Sequence, residues 1–283
     1  MANIAIVTDS TAYLSQETID AYGIHTIPLS VVFGDKVYEE EIDLTTEEFY
    51  DKMRASDQLP TTSQPPLGRF LELFEELGQT YDAIITIHLS SGISGTYQTA
   101  LSAGESVENI EVYGFDSEIS CAPQGYYAIE AAKMAAEDYT VDDILDRLNE
   151  MKQNMRAYFV VDNLNHLHRG GRLSGAQALV GSLLQIKPVL HFEDKLIVPY
   201  EKVRTAKKAL NRVYELFAED ANTNDHIRAT IIHANHPDKA EKMKAELEAK
   251  HDNITIDISY FGPVIATHLG EHSLGLGWYK TKA

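Results

Sequence analysis

Residues 84–100, reading IITIHLSSGISGTYQTA, constrain this chain more than any other stretch. The run Ile84, Ile85, Ile87 and Leu89 is apolar and rich in β-branched side chains, the mark of a buried strand. It breaks into Ser90-Ser91-Gly92-Ile93-Ser94-Gly95-Thr96, and the residues from Tyr97 onward read as a helix. A strand that empties through a Ser/Gly loop into a helix leaves backbone N–H groups free beside small hydroxyls. That geometry suits an anionic head group. The residues predict a loop that holds a carboxylate, with an apolar slot behind it; a loop of purely structural use is the alternative.

The rest of the chain alternates strands and helices. Residues 3–7 predict a first buried strand ending at Thr8-Asp9-Ser10-Thr11, where Asp9 or Ser10 either meets a ligand or caps a helix. A helix over 15–22, a strand over 25–33 and a hairpin through Gly34-Asp35 follow. Thr45 and Glu48 form a capping box that opens a helix to about Ala55. Pro60, Pro65 and Pro66 forbid a helix across 59–66 and predict a stiff, extended loop carrying Thr61, Thr62 and Ser63. Helices are expected over 67–77, 126–136 and 141–154, with a strand over 110–115. This order calls for a largely parallel sheet flanked by helices.

After Arg156 the texture changes. A strand over 158–161 leads to a polar, Gly-punctuated loop over 164–174, and a small-residue helix is expected over 176–184. A turn at Asp194, helices over 206–219 and 238–250, and strands over 229–233, 254–258 and 276–279 complete the pattern, with a Gly/His-rich turn over 267–275. The fold class expected is α/β, as two interleaved α/β domains spanning 1–156 and 157–283.

With 283 residues, 44% hydrophobic and 24% charged, the chain has the composition of an ordinary globular protein. Its net charge of −19 argues against nucleic acid and anionic membranes as partners, since phosphates would be repelled. Cys121 is the only cysteine, so no intrachain disulfide and no cysteine-based zinc site are possible. The N-terminus has no basic segment and meets Asp9 too early for a signal peptide. No run of about 18 apolar residues predicts a membrane span. A cytoplasmic location is expected.

Three constellations remain. The order Gly92-Ile93-Ser94-Gly95 places the second glycine one residue early for a G-x-S-x-G nucleophile elbow, and no phosphate-loop pattern follows a strand. From His166 to Arg204 there are six basic residues (Arg169, Arg172, Lys187, Lys195, Lys202, Arg204) against three acids (Glu193, Asp194, Glu201), a net +3 in an acidic chain. Arg172 and Arg204 are placed to meet a phosphate or carboxylate, with internal ion pairing as the bland alternative. His268 and His272 lack further ligands, so no metal site is expected. His268, after an apolar run, is either a pocket donor or a satisfied structural histidine.

Five segments in order resemble the DegV family: Pro60–Pro65, Leu89–Tyr97, Gly170-Gly171-Arg172-Leu173-Ser174, Ile186-Lys187-Pro188 and Pro263–His268, with Val7-Thr8-Asp9-Ser10-Thr11 at the start. The similarity spans residues 3–282. These are bacterial fatty-acid-binding proteins that act as carrier subunits of a fatty acid kinase. The resemblance implies a long-chain, palmitate-like fatty acid between two domains, its carboxylate held by Thr62, Ser94 and His268. Arg172 and Arg204 match the family arginines linked to the kinase and the phosphorylated head group. It implies a carrier with no catalytic residue and no cofactor of its own, working with an ATP-dependent kinase subunit. His268-Leu269-Gly270-Glu271-His272 departs from the His-x-Gly-Pro-Gly common in the family, which puts an acid near the head group and leaves the role of His272 open. The alternative from another class is a serine hydrolase or acyltransferase using Ser94 and His268, with Asp9 or Asp116 as the acid.

Overall fold

The computed structural model describes residues 3–56, 58–174, 186–223 and 225–281. The helix expected over 176–184 lies outside the described residues. Strands β1 (Ile4–Asp9), β2 (Ile24–Ile27), β6 (Ala83–His88) and β7 (Glu111–Asp116) form a four-stranded sheet, ordered β2-β1-β6-β7 and parallel throughout. β1 and β6 are buried along their full length, because helices cover both faces. Ala5 and Val7 of β1 pack with Phe70 and Phe74 of α3 (Leu67–Leu77) and Ala100 and Ala103 of α4 (Thr96–Gly104). The alternate residues Ile4 and Ile6 pack with Tyr127 and Ala131 of α5 (Ala122–Ala136) and with Ile144 and Leu148 of α6 (Val141–Asn154). A two-residue period thus divides one strand between two cores.

The strand expected over 25–33 is two strands in different sheets. Pro28 has no N–H to continue a ladder, so the chain leaves the parallel sheet after Ile27. It pairs again as β3 (Ser30–Phe33), antiparallel to both β4 (Lys36–Glu39) and β5 (Thr61–Ser63). The stiff segment around Thr62 is therefore a short strand, with Thr62 opposite Val31.

Residues after 155 supply a six-stranded mixed sheet ordered β10-β9-β8-β13-β11-β12. Its members are β8 (Arg156–Val160), β9 (Val189–Glu193), β10 (Leu196–Glu201), β11 (Ile227–His233), β12 (Ile254–Tyr260) and β13 (Leu274–Lys280). α8 (Ala206–Ala221) and α9 (Pro237–Glu248) cover one face, Phe217 and Met243 packing with Trp278 of β13. The other face meets the first half of the chain across a cluster that includes Leu29, Phe49, Leu89, Phe159, Ile197 and Phe261. Asp194 and Lys195 both take positive φ, +48° and +70°, and close the tight β9–β10 hairpin.

Two other expectations change. The loop over 164–174 contains a short helix, α7 (Asn165–Arg169), and the turn expected over 267–275 narrows to residues 270–273. Pro263 starts helix α10 (Pro263–Leu269), which carries His268, and β13 begins at Leu274. Pro is well suited to a helix's first position, where its missing N–H leaves no bond unmade. α5 likewise starts four residues ahead of the expected Tyr126, with Pro123 in its first turn.

Candidate ligand-binding site

Between the two sheets lies a cavity of about 270 Å³. Its wall is apolar over most of its extent, with Leu29, Leu89, Phe159, Ile197, Phe261 and Ile265 from both halves of the chain. Thr62, Gln64, Ser94, Arg172 and His268 also line it. Thr62, Arg172 and His268 border a second, outer pocket as well, together with His166 and Arg169.

The elements bring Thr62 and His268 together. Thr62 Oγ1 lies 2.9 Å from His268 Nε2, a contact between residues 206 apart in sequence. Burial, the Arg172 charge and His166 push the His268 imidazole down to about 3, so it is neutral over the ordinary pH range. A neutral ring that donates from Nε2 to Thr62 leaves the threonine's own hydrogen free for a further acceptor. His268 Nδ1 is buried without a partner among the described residues. It packs against Gly170, where a Cβ would fall on the ring.

Ser94 lines the same cavity but bonds within its own loop. Its Oγ lies 2.9 Å from Thr96 Oγ1 and accepts the Thr96 N–H at 3.3 Å, at the start of α4. The loop is pinned on three sides. Ser90 Oγ donates to Lys195 O at 2.7 Å, Ser90 N donates to Ile119 O at 2.7 Å, and Ser91 N donates to Asp116 at 3.1 Å. Arg172 fixes it from the cavity side: its Nε donates to Ile93 O at 3.1 Å and its Nη1 to Gly170 O at 2.7 Å. Burial lowers the pKa of this guanidinium.

Arg204 is exposed ahead of α8 and is not part of the cavity wall. Two basic-island residues follow the bland reading: Lys187 pairs with Asp162 at 2.9 Å and Lys195 with Asp116 at 3.0 Å. No ion pair is found for Arg172 or Arg204 among the described residues. The acid expected near the head group is elsewhere: Glu271 accepts from Arg54 and from Asn235 and does not line the cavity. His272 packs edge-on against His236 at 5.4 Å.

A hydrolase arrangement is not assembled. His268 bonds Thr62 rather than Ser94, and neither Asp9 nor Asp116 reaches it. Asp9 is fully buried and caps a turn through the Thr11 N–H, while accepting from His88 Nδ1 at 2.9 Å and Leu89 N at 3.0 Å. It ties the end of β1 to the end of β6, the capping side of its two sequence readings. No group of three His, Cys, Asp or Glu able to hold a metal occurs among the described residues, and none of the helices described is long and apolar enough to cross a membrane.

Sequence reasoning missed Glu40, which supports α10 from behind. Glu40 Oε1 accepts from Val264 N at 2.8 Å and from the Tyr13 hydroxyl at 3.0 Å, and Ser10 Oγ donates to its other oxygen. Tyr13 in turn receives the Ile265 N–H at 3.3 Å. Both free N–H groups at the start of the helix that carries His268 are thereby satisfied. In sequence, Glu40 sits inside Glu39-Glu40-Glu41, which looks like a solvated acidic run.

The family model described as "Uncharacterised protein, DegV family" matches residues 3–281. This chain belongs to the DegV family. Protein DegV of Bacillus subtilis is 54% identical over 277 residues, covering 98% of this chain and 99% of the relative. The crystal structure of DegV from Bacillus subtilis, described as a fatty acid binding protein, superposes with a TM-score of 0.95 at 54% identity, covering 99% of this chain and 100% of the other. A Thermus thermophilus DegV family protein, described by its fatty acid binding, gives a TM-score of 0.92 at 29% identity, covering 99% and 100%. A stearic acid-binding protein from Eubacterium ventriosum gives 0.88 at 25%, covering 99% and 98%.

Proposed function

We propose that this chain binds one long-chain fatty acid in the cavity between its two sheets and presents the carboxyl group to a separate, ATP-dependent fatty acid kinase. The observation that carries the reading is the Thr62–His268 pair on the wall of an otherwise apolar cavity. The relatives described as fatty-acid-binding proteins supply the ligand class. In this reading Thr62 and Ser94 donate their hydroxyl hydrogens to the carboxylate, and His268 donates from Nε2 to Thr62. Each buried CH₂ contributes about 0.8 kcal/mol, so a long chain offers roughly 10 kcal/mol before association costs. The wall then supplies affinity and the hydroxyls supply orientation.

Neutral donors suit a carrier. They hold a carboxylate without a buried ion pair that would resist hand-over, and they leave an oxygen free to attack the terminal phosphorus of ATP on the kinase. Arg172, beside the head group, and Arg204, exposed ahead of α8, are assigned to the kinase and phosphoryl contact. The units 1–156 and 157–283 close on the acyl chain from opposite sides.

Organic extraction of purified protein followed by mass spectrometry should recover a long-chain fatty acid. Thr62→Val and Ser94→Ala should each weaken binding of that acid by about 1 kcal/mol or more, since each removes one donor to a buried carboxylate. Recovery of only phospholipid or nucleotide, or unchanged affinity in both folded variants, would sink the assignment.

A further inference from the structure

The binding cavity shares wall residues with three neighbouring spaces; one meets it at Ser63 and Gln64, and the other two lie on separate flanks. On one flank the shared residues are Thr62, Arg172 and His268, the proposed head-group end. On the other they are Ala157, Tyr158 and Phe192, shared with a chamber of about 340 Å³. That chamber is polar. Its wall includes Ser117, Glu118, Tyr127, Lys152 and His191. Lys152 Nζ donates to Asp116 O at 2.6 Å and lies 4.3 Å above the Phe115 ring.

Phe192 stands between these two environments. It sits on β9, its ring 6.2 Å from that of Phe159, which lines the apolar cavity. It packs against both the cluster between the sheets and the cluster beneath the parallel sheet, and it is the aromatic ring of neither core alone. Its partial exposure fits a side chain with one face on hydrocarbon and the other on a wet chamber.

We propose that Phe192 is the partition that ends the acyl slot, and that it sets the longest chain the cavity accepts by keeping the terminal methyl out of the polar chamber. This rests on the fatty-acid reading above. A chain that stops short of the ring gains roughly fourfold in affinity for each added CH₂ that is buried. A longer chain must displace the ring or fold back, because the space beyond it holds Lys152, Glu118 and His191. The ring therefore produces a break in the dependence of affinity on length.

The test is a series of saturated fatty acids, in two-carbon steps from lauric to behenic acid, bound to delipidated wild-type protein and to Phe192→Ala, Phe192→Leu and Phe192→Trp. Far-UV circular dichroism and thermal unfolding identify the variants that fold. The break should move to longer acids by roughly two carbons or more in Phe192→Ala, by less in Phe192→Leu, and to shorter acids in Phe192→Trp. A break that stays at the same length in every folded variant overturns the partition while leaving the fatty-acid reading in place. Wild-type protein that binds none of the acids overturns both. The two size changes act in opposite directions, so a single variant that fails to fold leaves the other to decide.

Discussion

Glu40 is 1% exposed, yet it carries a carboxyl among Ser10, Tyr13 and the first turn of the helix that holds His268. Burial raises its pKa from 4.5 to about 7, against the pull of those hydrogen bonds. Between these two values the folded chain keeps a proton that the unfolded chain has released. The stability this proton confers is full below about 4.5 and is lost as pH rises through about 7. Glu40→Gln keeps the shape and removes the titration, so it should flatten the fall in stability between pH 5 and pH 8. The difference between the two proteins should reach roughly 3 kcal/mol at most. Denaturant unfolding at both pH values checks this, and parallel pH slopes in wild type and variant would count against it.

At the scale of elements, the Ser90–Gly95 loop and the β9–β10 hairpin are fitted to each other by backbone contact. A Cβ on Gly92 would fall on the Lys195 carbonyl, 2.7 Å from its carbon, so one of the two backbones must move. Gly92→Ala should destabilise the fold by about 1–3 kcal/mol. It should also weaken fatty-acid binding, because Ile93 and Ser94 on one side and Phe192 and Ile197 on the other line the same cavity. Thr140→Ala is the matched control. It removes the cap of α6, a bond to the Asp143 N–H at 3.2 Å far from the cavity, and should cost about 1 kcal/mol of stability with ligand affinity unchanged. Equal loss of binding in both variants would mean that the loop acts only through global stability.

For the whole molecule, a charge of −19 coexists with a basic tract whose members have separate fates. Lys187 and Lys195 are neutralised by acids, whereas Arg204 stays exposed and Arg172 braces the loop at Ile93. Arg204→Ala should keep wild-type fatty-acid affinity and lose acyl-phosphate formation with a cognate kinase, and added salt should weaken that coupling in the wild type. Arg172→Ala should impair both, because it also frees Ile93 and Gly170. Fatty-acid affinity and kinase-coupled phosphorylation measured on the same preparations separate these outcomes. Normal phosphorylation by Arg204→Ala would reduce that arginine to a solvated surface charge.

The order of strands and helices was legible in the chain because each depends on neighbours a few residues apart. The unbroken apolar run of β6, the Thr45–Glu48 box and the break at Ser90 are all local matters. The residues themselves marked the Ser94 loop, the hydroxyls around Thr62 and His268 one by one, but only the five segments that resemble a family grouped them in one site, since no spacing rule joins a threonine to a histidine 206 residues later. Pro28 moved half of a predicted strand into another sheet, and Pro263 opened a helix that takes in the first three residues of an expected turn, because proline limits the backbone without saying which partner the chain will find. Glu40 and Phe192 had no local sign at all. One is an acid among acids in sequence, the other an apolar residue on an edge hairpin, and their surroundings come from segments far away along the chain. Local geometry and hydrophobic period belong to the sequence. Which distant surfaces close around a cavity, and which buried groups they strand or satisfy, belongs to the packing of the two sheets.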